Sequence, residues 1–200
     1  MGQRLVVTIK HDNKKLARLY YHWSAYTMSA LYQTKAIVDC IYDHNEETFE
    51  ELQLKLIRFC EKNGGGIDGN IDELNYIMKM YPNEKFKKDG YSRNNGLIAL
   101  SENGMNELQG WSEGDVIIDI DADRIEFGVC GYYESLLEYN EARAEWDEDH
   151  VNGIPLKDVP DIGYDLCNIE VEDLADVIAA METVDGYVVR NGYEVFEMIA

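Results

Sequence analysis

The chain has 200 residues, 39 of them Asp or Glu and 18 Lys or Arg, for a formal net charge of -21. Its 46% hydrophobic and 11% aromatic residues supply a core and exclude a disordered acidic tail, and the negative charge excludes a free nucleic-acid binder. The length fits one α+β domain, with room for two closely packed lobes divided near residues 83–95.

Leu5 to Ile9 and Leu16 to Tyr21 are β-rich runs on either side of the polar stretch His11-Asp12-Asn13-Lys14, which predicts an N-terminal hairpin. From Thr27 to Asp43 the apolar residues Met28, Leu31, Ile37, Val38 and Ile41 recur at helical spacing. Asn45 is the expected cap of a second helix with the stripe Phe49, Leu52, Leu56 and Phe59, stopped at Asn63-Gly64. The glycine-rich run from Asn63 to Asn70 reads as a helix stop followed by a flexible loop, since no Lys-Ser/Thr follows it as a phosphate-binding loop requires. Asp68 or Asn70 starts a third helix that runs to Met80 and stops at Pro82.

The polar stretch Lys85 to Asn95 marks a change of charge composition. Beyond it, Leu97 to Leu100 is an expected strand, and Ser101 caps a short helix ending near Trp111. Val116 to Ile120 and Arg124 to Val129 form a second expected hairpin around Asp121-Ala122-Asp123. Residues from about Tyr133 to Asp149 and from Val171 to Thr183 read as helices. Asn191-Gly192 predicts a third hairpin, because both turn positions favour positive φ. Three hairpins with interspersed amphipathic helices predict an α+β fold with a largely antiparallel sheet.

The four cysteines, Cys40, Cys60, Cys130 and Cys167, form no C-x-x-C pair, the usage of reduced cytosolic thiols. No signal-peptide region or long uncharged apolar run is present, so the expected location is the cytoplasm, away from membranes. Asp119-x-Asp121-x-Asp123 and Asp68-x-Asn70-x-Asp72 open like calcium loops. Their sixth positions are Arg124 and Glu73 rather than Gly, and their twelfth are Cys130 and Lys79 rather than Glu. Neither predicts a metal site, and no cofactor is expected.

Charge is divided unevenly. The first hundred residues carry 14 basic and 13 acidic side chains and the second hundred 4 and 26, so the halves net +1 and -22. Within the second half, Glu134, Glu138, Glu141 and Glu145 share one face of the expected helix, and Asp147, Glu148 and Asp149 follow. Their charges advance about 5–6 Å at a time, comparable with phosphates along a nucleic-acid strand. Glu170, Glu172, Asp173 and Asp176 extend the acidity. These seven residues from Glu134 to Asp149 are the expected partner-binding surface, and the partner class is a basic nucleic-acid-binding protein.

The block Tyr20-Tyr21-His22-Trp23-Ser24-Ala25-Tyr26-Thr27 offers a general base in His22 and hydroxyls in Ser24 and Thr27. It lacks nucleophile-elbow glycines and reads more simply as core aromatics ahead of a helix cap. A small hydrolase acting on a nucleotide or peptide through this block is the rival expectation. A further one is a homodimeric scaffold pairing through Tyr193 to Ile199.

Gly2-Gln3-Arg4-Leu5, the block from Tyr21 to Thr27, Gly96 to Leu100 and Trp111 to Gly114 resemble uncharacterised proteins of phages and mobile elements of Gram-positive bacteria. The overall acidity is similar to that of phage DNA-mimic and anti-CRISPR inhibitors. The resemblance implies an anti-defence role in the host cytoplasm and carries no catalytic residue with it.

Overall fold

A computed structural model describes residues 3–25, 27–42, 47–86, 96–128 and 168–180. The first two strands are β1, Leu5–His11, and β2, Lys14–Tyr21, paired antiparallel around Asp12 and Asn13. Both turn residues have positive φ, 53° and 57°, which suits the right-handed twist of a tight hairpin. Helix α1 follows, Thr27–Ile41, then α2, Phe49–Lys62.

The α2 cap is Thr48, not Asn45, which lies outside the described residues. Thr48 Oγ1 accepts the Glu51 N–H at 3.3 Å, while Glu51 Oε2 accepts the Thr48 N–H at 2.7 Å. This reciprocal capping box satisfies two otherwise orphaned donors, and Glu50 and Glu51 complement the helix dipole.

A second difference lies in the glycine-rich run expected to be only a loop. Gly64, at φ 78°, turns the chain out of α2, and the next residues enter the sheet as β3, Gly66–Ile67. The Gly66 N–H donates to the Gly96 carbonyl at 3.1 Å and the Asp68 N–H to Ile98 at 2.9 Å. Two residues are too few to show a period in the sequence. Next come α3, Ile71–Met80 with Asn70 as its cap, and β4, Leu97–Ala99. Ser101 caps α4, Glu102–Gln109. The second hairpin is β5, Gly114–Asp119, with β6, Arg124–Gly128. A short strand not expected from the sequence, β7, Asn168–Glu170, pairs with β6 and leads into a 3-10 turn, Val171–Asp173, and helical residues 174–180.

The seven strands form one mixed, mostly antiparallel sheet in the order β3-β4-β2-β1-β5-β6-β7, with parallel pairing at β1–β5 and β3–β4. Leu5, Val7 and Ile9 point to one face and Val6 and Thr8 to the other. The first face packs on Leu31, Ile37, Leu52, Leu56, Ile77 and Val177 to form the main core. On the second face Val6, Tyr20, Leu97 and Ala99 meet Met105 and Leu108 of α4. Burial on both faces explains why β1 is an almost unbroken apolar run. The expected helix from Tyr133 to Asp149 and the hairpin at Asn191-Gly192 lie outside the described residues.

Candidate functional site

Part of the acidic excess of the second half lies together in space. Asp115 and Asp119 lie on β5, Asp121 and Asp123 in the turn, Glu126 on β6 and Glu170 on β7, at one end of the sheet. At this end a groove of about 440 Å³ is lined by Tyr42, Ala122, Asp123, Arg124, Asn168, Glu170, Val171 and Glu172. It continues into a smaller depression of about 200 Å³ beside Lys35, Val38, Asp39 and Leu174.

Local chemistry builds the walls. Asp119 Oδ1 accepts the Ala122 N–H at 3.1 Å, and Asp123 takes a left-handed φ of 50° to close the β5–β6 turn. The Asp123 carbonyl then accepts the Val171 N–H at 3.1 Å, which holds the exit from β7 against that turn. Tyr42 follows the last residue of α1 and stands 57% exposed over the groove. Beside Tyr42, Val38, Ile41, Ile118, Ile120 and Val171 line a separate cavity of about 20 Å³. In the adjoining depression, Lys35 is committed to Asp39 at 2.8 Å. Among the described residues, Asp123, Glu170 and Glu172 take part in no ion pair, while Arg124 stands opposite Asp119 and Glu170 in strand register.

The parallel β1–β5 pairing places both hairpin tips side by side, and His11 Nδ1 meets Asp121 Oδ1 at 2.8 Å. Partial burial pushes the Asp121 carboxyl up, but the hydrogen bonds from His11 and the Asn13 N–H outweigh it and hold the carboxyl below its ordinary value. His11, Asp12 and Asp121 present ligand atoms within 4.8 Å of one another. The Asp119-x-Asp121-x-Asp123 series does not converge: its members serve the turn, the His11 pair and the groove wall.

The block around His22 is organised differently from a nucleophile with its base. The Tyr20 hydroxyl and His22 Nδ1 share a 2.6 Å hydrogen bond, and the His22 ring lies edge-on to Trp23 at 4.7 Å between centroids. Tyr20 in turn packs edge-on against Trp111. Ser24 is buried, and no hydrogen bond joins it to His22 among the described residues. Thr27 begins α1. Buried Cys60 has its thiol pushed up, first by desolvation, away from nucleophilic use.

The expected surface of Glu134, Glu138, Glu141, Glu145, Asp147, Glu148 and Asp149 lies outside the described residues, as do Cys130, Cys167 and Tyr193 to Ile199. The sequence gives no signal of Tyr42; Asp123 and Arg124 stand out in it as turn and strand residues, and Glu170 and Glu172 as part of the acidity. Compared with protein-family models, with curated proteins and with solved structures, the chain matches none. No helix among the described residues is long and apolar enough to cross a membrane.

Proposed function

We propose that the protein is a small acidic binding protein that occupies the cationic nucleic-acid-binding surface of another protein. The observation that carries this reading is the -22 charge of residues 101–200, of which Asp115, Asp119, Asp121, Asp123, Glu126 and Glu170 lie on β5, β6, β7 and the β5–β6 turn. Among the described residues of that half stand twelve carboxylates and one basic side chain, Arg124. Only Glu113 and Asp121 of the twelve are ion-paired. Such a field speeds encounter with cationic partners and repels nucleic acid. The resemblance to phage and mobile-element proteins makes a host defence protein, such as a CRISPR effector, the partner of choice. Glu134, Glu138, Glu141, Glu145, Asp147, Glu148 and Asp149 contribute to the same charge in this reading.

The test is a pull-down of the tagged protein from host lysate, eluted with a salt gradient. The expected result is a basic nucleic-acid-binding protein released at moderate salt and competed by DNA or RNA. Capture of nothing, or of a partner indifferent to salt, would contradict the proposal.

A further inference from the structure

We infer that the groove at Tyr42 receives an extended, arginine-bearing segment of the protein partner, with a guanidinium over the Tyr42 ring and between the Glu170 and Glu172 carboxylates. This rests on the reading of the protein as a binder of cationic partners and adds the place and chemistry of capture.

Asp123, Glu170 and Glu172 line the groove without an ion pair, whereas Lys35 in the adjoining depression is already held by Asp39. Arg124 is the remaining cation, so the groove carries a net negative charge that disfavours a phosphate or carboxylate ligand. The carboxylates also do not converge as metal ligands would. Among the described residues, the only trio of ligand atoms within 4.8 Å of one another is His11, Asp12 and Asp121, at the hairpin tips. A cation that spreads its charge and its donors over several ångströms suits this spacing better than a metal ion does.

The remaining surface selects the organic part of the ligand. Tyr42, 57% exposed, offers a ring face at the mouth of the groove, and guanidinium groups stack on aromatic faces more readily than ammonium groups do. Val171 is the apolar side chain in the groove lining beside Tyr42, and the methylene stem of an arginine can lie against it. The groove volume of about 440 Å³ is in the range that encloses a few side chains. β7 is the last strand of the sheet among the described residues, with Asn168 and Glu170 exposed, and a sheet edge favours an extended backbone alongside it.

The experiment is fluorescence anisotropy of the full chain with a fluorescein-labelled octa-arginine peptide, and octalysine for comparison, at about 0.15 M salt. Glu170→Lys with Glu172→Lys is expected to weaken octa-arginine binding at least about tenfold, and Tyr42→Ala about fivefold, while Tyr42→Phe retains the affinity. Octalysine binds more weakly than octa-arginine. Glu50→Lys with Asp72→Lys makes the same change in net charge on exposed helical positions of α2 and α3, and is expected to weaken binding less than about threefold. Equal weakening by the two charge pairs overturns the groove as the site and leaves the cationic-partner reading standing. If the unaltered protein binds neither peptide, both the groove inference and that reading fall.

Discussion

The buried carboxyl group of Glu73 on α3 accepts the backbone N–H of Leu100 at 2.7 Å, immediately before α4. It also takes the N–H and the hydroxyl of Ser101, the α4 cap, so one helix closes the N-terminus of another. Gly104, in the first turn of α4, makes room for it: a Cβ there would collide with Glu73 Oε2 and press on Ala99. Glu73→Ala should lower the unfolding free energy by about 2–4 kcal/mol, through buried donors left unpaired. Gly104→Ala should lower it by about 1–3 kcal/mol, although the same change in an unobstructed helix is stabilising. Urea unfolding measures both, and an unchanged or raised midpoint for Gly104→Ala would contradict this packing.

Asp68, at the exit of β3, predicts a pH dependence. Burial pushes its carboxyl up to about 6, with Glu107 and Glu73 adding to the effect, and Oδ2 has no hydrogen-bond partner among the described residues. An unfolded Asp releases its proton near about 3.9, so the folded chain binds more protons between those two values. The contribution of Asp68 to stability is therefore full below about pH 4 and lost as pH rises through about 6. Asp68→Asn should be the more stable protein above pH 6, by about 1–3 kcal/mol, with the advantage vanishing below about pH 4. Parallel stability curves for the two proteins across that range would refute the assignment.

At the first hairpin, Asn13 has a φ of 57°, a conformation that glycine adopts more readily than any other residue. Asn13→Gly should raise stability by about 0.5 kcal/mol and Asn13→Val should lower it by about 1 kcal/mol or more. The Asn13 N–H to Asp121 is a backbone donor and survives both changes. Thermal unfolding checks the order of the three proteins.

The elements legible in the sequence are those with a period or a cap of their own. The β1–β2 hairpin, α1, the start of α3 at Asp68 or Asn70, the Ser101 cap of α4 and the β5–β6 hairpin all follow from apolar spacing or turn chemistry local to a few residues. What the sequence did not display depends on distant partners. β3 is a strand only because Gly96 and Ile98 accept its N–H groups, and β7 only because β6 offers an edge. Asn45 and Thr48 are both good cap residues, and Glu51 decides for Thr48 by completing the capping box. Of the candidate site, the acidity was plain but the groove was not. It joins Tyr42, Asp123 and Glu170 from three separate stretches of chain, the last two held together by a hydrogen bond between Asp123 and Val171.

In the proposed function, the acidic surface and nucleic acid compete for one cationic surface on a partner. The most direct measurement titrates this protein into a preformed complex of its captured partner with a fluorescently labelled nucleic acid, followed by anisotropy. Full displacement of the nucleic acid is expected, with an apparent affinity that falls steeply as salt rises. A stable ternary complex, with the nucleic acid still bound at saturating protein, would contradict it.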